Sequence, residues 1–244
     1  VKDVSSLFPY ILFIIIIFFD RSRIKYCKDK DFSYTALGDD LSSGIIALLL
    51  RSFTYRVNRF LKVEHPKVVF NNFAKTGFTS SNLIFQLQND WQIRRCLQSS
   101  RLVTISIGIN NLLDHTEENY NEINGNVARI GIEEFREDWP MILEYIRINI
   151  ASKAKIYIMT IFNPYEEDDP NYTIAEYYIS KVNSIIKSKF WIKTFDYEVV
   201  DVYELFKVDK SSKLTLYNSI IKMPIPSRRG YKQIAEAFIN VIKN

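Results

Sequence analysis

Two adjacent carboxylates, Asp39 and Asp40, stand in the run Gly38-Asp39-Asp40-Leu41-Ser42-Ser43-Gly44, where an apolar strand gives way through a tight turn to a helix. A carboxylate at such a junction can accept from the first free N–H groups of the helix and settle at the positive end of its dipole. Asp39 and Asp40 are equal candidates for that cap. A carboxylate can also act as a nucleophile, but hydrolysing the resulting intermediate needs a base. Ser42 and Ser43 bring hydroxyls within a turn of position 40, and serines that begin a helix usually cap it or face solvent. The two histidines are His65 and His115. His65, beside Pro66 and ahead of a strand, belongs at the far end of the sheet. His115 follows the third strand on the ligand-binding side and reads as a surface-loop residue. No metal-ligand cluster, Gly-Lys phosphate loop or base-stacking basic patch is present, so neither cofactor nor metal is expected. Cys27 and Cys96 make neither a disulfide framework nor a zinc site.

The elements that must position these groups alternate in type. Short apolar runs at 34–37, 68–71, 102–107, 155–160 and 198–202 read as strands, and helical periodicity fills the intervals. Ile46, Leu49, Leu50, Phe53, Val57 and Phe60 line one face of a first helix, and Phe135, Trp139, Ile142, Leu143 and Ile146 do so in a later one. Ile174, Tyr178, Val182 and Ile185 form the stripe of the next, and Tyr231, Ile234, Ala235, Phe238, Ile239 and Ile242 that of the last. Five strands each followed by a helix predict a three-layer α/β/α sandwich with a five-stranded parallel sheet in flavodoxin-like order. Its ligand site then lies beyond the C-terminal strand ends. Residues 114–126 are polar and predict an exposed excursion after the third strand.

The chain has 244 residues, of which 47% are apolar and 25% charged, enough for one domain with a full core. A net charge of +4 without a dense basic run gives no reason to expect nucleic acid as a partner, and is compatible with weak attraction to an anionic membrane. Residues 1–31 differ in character from the domain at 32–244. Positions 7–19 (LFPYILFIIIIFF) are thirteen uncharged residues, about 20 Å as a helix against a hydrocarbon core of roughly 30 Å. That length suits a signal-peptide core, yet no small-x-small cleavage site follows, and Arg21, Arg23, Lys25 and Lys28 lie downstream, which argues against export. The segment is expected to make the protein membrane-associated or to direct its secretion; the alternative is a helix packed on the domain. The chain opens on Val1, which fits a non-standard start codon or missing upstream residues.

Four blocks in order carry a resemblance that spans nearly the whole domain. The first is the Gly38-Asp39-Asp40-Leu41-Ser42-Ser43-Gly44 turn. The second runs Asn72-Phe73-Ala74-Lys75-Thr76-Gly77-Phe78-Thr79-Ser80, and the third Ile105-Ser106-Ile107-Gly108-Ile109-Asn110-Asn111-Leu112-Leu113. The fourth is Pro226-Ser227-Arg228-Arg229-Gly230-Tyr231-Lys232-Gln233-Ile234-Ala235. Together they resemble the SGNH (GDSL) hydrolases, and the texture between blocks is similar to the Gram-positive lipase/esterase branch. That family acts on acyl esters of lipids or on small carboxylic esters.

The resemblance assigns roles residue by residue. Gly77 takes the place of the backbone N–H donor to the oxyanion and Asn110 that of the side-chain donor, while Asn111 replaces an aspartate. Asp40 stands at the nucleophilic serine, Lys222 at the orienting aspartate and Ile225 at the histidine, so all three reactive positions are substituted. Ester hydrolysis needs an alkoxide-forming serine, an imidazole and a carboxylate. The reading is therefore a degenerate member that keeps the oxyanion donors and serves in binding or an accessory role, its ligand a lipid or acyl-ester-like molecule. The alternative is a weak ester hydrolase using Asp40, Ser42 or Ser43 with His115. Gly38, Asp40, Gly77 and Asn110 are expected to converge on one shallow pocket. An anionic Asp40 beside Gly77 and Asn110 would occupy those donors itself, disfavouring anionic ligands.

Overall fold

The computed structural model describes residues 32–44, 52–114, 122–150, 153–208, 214–216 and 225–243. The apolar 7–19 segment, Ile46, Leu49, Leu50, His115 and Lys222 lie outside the described residues. Five parallel strands form the central sheet: β1 (Ser33–Gly38), β2 (Val69–Asn72), β3 (Leu102–Ser106), β6 (Lys155–Met159) and β7 (Glu198–Val200). Their order is β2-β1-β3-β6-β7. All five match the strand runs predicted from the sequence, and the order is the flavodoxin-like one. The inner strands β1, β3 and β6 are buried on both faces, which is why β3 and β6 are near-continuous apolar runs, whereas the edge strands β2 and β7 are only partly buried.

Helices cover both faces. On one side α3 (Ser80–Asn89), α4 (Trp91–Ser99), α5 (Gly125–Asn149), α6 (Tyr172–Ile186) and α7 (Lys189–Phe195) enclose a core around Phe135, Trp139, Ile142 and Ile158. On the other, α2 (Phe53–Glu64) and α9 (Arg228–Lys243) pack Phe53, Val57, Tyr231 and Phe238 against Tyr34, Tyr157 and Met159, with α8 (Val202–Val208) beside them. Phe53 and Phe238 stack at 4.8 Å between ring centroids, tying α2 to α9.

Three sequence expectations are corrected. The α2 helix starts at Phe53 behind its cap Ser52, whose hydroxyl accepts from the Tyr55 N–H at 3.3 Å. The buried stripe of α6 is Ala175, Ile179, Val182 and Ile186, one residue on from Ile174, Tyr178 and Ile185, which are only partly buried. Ala175 was passed over because its small side chain carries little hydrophobic weight, although it lets the helix approach the sheet. The segment after β3 is not wholly an excursion: β4 (Leu113–Asp114) pairs antiparallel with β5 (Glu122–Ile123), and α5 already begins at Gly125. Leu113 and Ile123 are buried, and that apolar pair closes the ribbon. Among the described residues no helix is long and apolar enough to cross a membrane.

The end of β1 is the tightest place in the sheet. Gly38 has φ +120°, and a Cβ there would lie 1.8 Å from the Ser106 carbonyl oxygen on β3. Gly77 has φ +76° with open space around it. Gly38→Ala is therefore expected to cost at least ~3 kcal/mol, because backbone must move as well as twist. Gly77→Ala should cost only about 1–2 kcal/mol for the left-handed conformation. Denaturant unfolding of the two variants beside the parent checks the order.

Candidate active site

The site is built at the C-terminal ends of β1, β2 and β3, where an open parallel sheet places its ligands. At the β1 terminus the chain reverses into a one-turn helix, α1 (Asp40–Ser43). Asp39 is its cap: the side chain accepts from the Leu41 N–H at 3.1 Å, and its own N–H donates to the Ser106 carbonyl at 2.9 Å. The question of which aspartate caps the turn is thus answered in favour of Asp39. Gly44, in the left-handed conformation, ends the turn.

With Asp39 pinned, Asp40 projects across the sheet end toward the next two loops. Its Oδ2 accepts from the Gly77 N–H at 2.9 Å and from the Asn110 side-chain amide at 2.8 Å. Asp40, Gly77 and Asn110 therefore converge on a single oxygen, and Asp40 is partly exposed while Gly77 is open to solvent. Asn110 is held by a second hydrogen bond from the same amide to the Phe78 carbonyl at 3.1 Å, which fixes its orientation. Two donors aimed at one point are the geometry that stabilises a developing oxyanion. Here a carboxylate oxygen already fills that point.

The flanking residues brace this arrangement. Asn111 accepts from the Ser80 N–H at 3.0 Å and donates to the Ser80 hydroxyl at 2.8 Å, and that hydroxyl donates to Asp138 at 2.7 Å. Asn111 thereby ties the short 3-10 turn after β3 (Ile109–Asn111) to the start of α3. Asn72 donates to the Ser42 carbonyl at 2.7 Å, fastening α1 to the end of β2. Ser42 is fully buried, its hydroxyl 2.7 Å from that of Ser106, which donates to Asp39 at 2.8 Å. The expectation that Ser42 caps or faces solvent is corrected, because the turn points it into the gap between β1 and β3. Ser43 is half-buried and donates to the Asp40 carbonyl at 3.1 Å.

Ile225 is buried at 5% exposure, and its carbonyl accepts from the Leu216 N–H at 2.9 Å. Its aliphatic side chain has no proton chemistry. Pro226 bridges to Thr215, and Ser227 donates its N–H to the Leu214 carbonyl at 2.6 Å, so the strip ahead of α9 is clamped by the 214–216 segment. His65 lies at the opposite end of the sheet, stacked on Phe32 at 4.1 Å between ring centroids, as its position before Pro66 implied. Among the described residues no group of three or more His, Cys, Asp or Glu is placed to hold a metal ion.

The sequence blocks contain Asn72, Ser106 and Tyr231 but give none of them a role at the site, which they shape by position. Tyr231 is buried with its hydroxyl unpartnered, and burial and the Asp40 and Asp39 charges raise its pKa. A tyrosine three residues past the α9 start, on the apolar stripe, gives no sequence signal beyond core packing.

Asp39 carries the strongest electrostatic perturbation here. Complete burial, then the charge of Asp40, push its carboxyl well above the usual range, against the hydrogen bonds from Ser106 and Leu41, and its Oδ2 has no partner. A raised folded-state value means that the Asp39 contribution to stability is fully present below about pH 4 and declines as pH rises toward the folded value. Asp39→Asn removes that titration. Its unfolding free energy, followed in denaturant from acidic to neutral pH, should decline less with pH than that of the parent.

No curated protein matches the chain. Among solved structures, the lipase Lip_vut3 from goat rumen metagenome aligns with TM-score 0.68 at 24% identity, over 86% of this chain and 96% of that one. The lipase/acylhydrolase from Enterococcus faecalis aligns with TM-score 0.62 at 16% identity, over 87% and 95%. The acetylxylan esterase Axe2 from Geobacillus stearothermophilus gives 0.58 at 18%, over 86% and 93%. These likenesses establish the fold. The GDSL-like lipase/acylhydrolase model matches residues 34–238, from β1 into α9, and the chain belongs to that family.

Proposed function

We propose that this chain is a degenerate GDSL lipase/esterase, of the Gram-positive branch its inter-block sequence resembles, that binds a ligand instead of hydrolysing an ester. The observation that carries the reading is the Asp40 oxygen accepting from both Gly77 and Asn110. In an ester hydrolase those two donors receive charge only as the tetrahedral intermediate forms. With a resident carboxylate in their grasp, an incoming carbonyl has no donors to polarise it. Asp40 has no hydroxyl to attack with, and Ile225 cannot accept a proton.

The charge of Asp40 also selects among ligands. It disfavours carboxylates, the products of ester hydrolysis, and suits neutral acyl-ester-like or cationic molecules. Removing a triad costs on the order of a millionfold in turnover. The purified protein should therefore hydrolyse p-nitrophenyl butyrate and a lysophospholipid no faster than buffer, and Asp40→Ala and His115→Ala should leave that background unchanged. Turnover above buffer that vanishes in either variant would establish the rival reading, a weak hydrolase with a relocated nucleophile or base. The combined change Asp40→Ser, Lys222→Asp and Ile225→His measures whether the scaffold still supports catalysis.

The same proposal includes membrane attachment through residues 7–19. Burying a leucine-sized side chain is worth roughly 1.5–3 kcal/mol, so the eleven Leu, Ile and Phe side chains of this segment do not stay in water. The intact protein should pellet with membranes even in high salt, which screens charge but not hydrophobic insertion. Recovery of the full chain as a soluble monomer would show the segment packed on the domain.

A further inference from the structure

A cavity of about 470 Å³ opens at the N-terminal ends of the strands, opposite the Asp40 site. Phe32 and Tyr157 contribute to its apolar lining, and Arg101, Lys153 and Lys155 provide cations. The sheet register sets these side by side: the Lys155 N–H donates to the Arg101 carbonyl at 3.0 Å, and the Arg101 N–H to the Ser33 carbonyl at 2.9 Å. All three cations are exposed. Among the described residues Lys155 meets Glu198 at 3.5 Å, and neither Arg101 nor Lys153 is in an ion pair. Glu64 on the facing wall is the acid among the lining residues. Lys62, Lys67 and Lys243, all exposed, extend the basic character, because the C-terminal ends of α2 and α9 and the entry to β2 share this edge.

The opposite edge has the other sign. The loop after β6 carries Glu166, Glu167, Asp168 and Asp169 in succession, and the partly exposed Asp40 stands at the same strand ends, while Asp201 there is paired with Lys187 at 2.7 Å and Lys75, Arg228 and Arg229 are exposed cations on this side. Among the described residues these clusters set a charge axis running parallel to the strands, which a net charge of +4 conceals. Residues 1–31, with the apolar stretch, join the domain at Phe32, on the basic edge and in the lining of the cavity.

We infer that the domain stands with its basic edge, centred on Arg101, Lys153 and Lys155, against an anionic lipid surface, and holds the Asp40 site away from that bilayer. An anionic leaflet attracts each basic side chain near it by about 1 kcal/mol, roughly fivefold in partitioning. The acidic edge is repelled by the same field, so the two ends act together to set orientation. The five residues of β3 place roughly 17 Å of strand between the edges. Ligands then reach Asp40 from the aqueous phase and not laterally from the lipid on which the domain rests.

The inference rests on the membrane attachment proposed above, and the test separates the two. The full chain is partitioned onto vesicles of phosphatidylcholine alone and of phosphatidylcholine mixed with phosphatidylglycerol. Binding to the neutral vesicles reports the apolar segment. The excess on anionic vesicles reports the charge, and should fall at least about tenfold in the Arg101→Gln, Lys153→Gln, Lys155→Gln variant while neutral binding is unchanged. An unchanged excess in a variant that melts like the parent overturns the inference. A second measurement does not depend on that variant. In a Cys27→Ser background, a fluorophore at Lys67→Cys should be quenched by lipid-borne quencher on anionic vesicles and one at Glu167→Cys should not. Equal quenching, or the reverse order, overturns the orientation.

Discussion

The close approach of β1 to β3 at Gly38 governs everything at the functional end of this protein. The glycine lets the Ser106 carbonyl come to a distance no side chain would tolerate, and that carbonyl then receives the Asp39 N–H. The Ser106 hydroxyl bonds the Asp39 carboxylate from the neighbouring strand. Main chain and side chain of one β3 residue therefore fix both ends of Asp39, and Asp39 in turn starts the one-turn helix. The direction in which Asp40 points is a consequence of that contact.

From there the loops after β2 and β3 complete the site. Asn110 is oriented by the Phe78 carbonyl and Asn111 by Ser80, so the two strand ends are laced together before any ligand arrives. Donors fixed in this way are preorganised for whatever acceptor meets them. In this chain the same preorganisation is spent on an internal carboxylate. The scaffold is that of an acylhydrolase, and fold alone does not determine whether chemistry follows from it.

The buried polar chain Ser42–Ser106–Asp39 has a second effect. It places a titratable group with an unpartnered oxygen beside Asp40, and complete burial is the main cause that pushes the Asp39 carboxyl up. Two carboxylates one residue apart thus have different environments: one in the wall between strands, the other partly exposed and met by two donors. Pairs separated in this way are a general means of assigning different roles to chemically identical groups.

The alternation of apolar runs and helical stripes in the sequence determined the five strands, their parallel pairing and the three layers, because strands buried on both faces need continuous hydrophobicity. The four blocks identified Asp40, Gly77 and Asn110 as neighbours, which the hydrogen bonds of Asp40 to the other two bear out. The sequence by itself did not separate Asp39 from Asp40 as the cap, nor expose Ser42 as buried. Both depend on which residue the Gly38 turn aims into the gap between β1 and β3, and that is set by contacts 64 to 67 residues away in the chain. The one-residue shift in the α6 stripe was hidden for a similar reason: helix rotation is fixed by the partner surface, not by the helix's own composition. The charge axis was invisible to composition, since its cations come from separate segments around 62–67, 101, 153–155 and 243 and its main acidic run from 166–169. Only the tertiary structure, by bringing strand starts to one edge and strand ends to the other, separates the two signs.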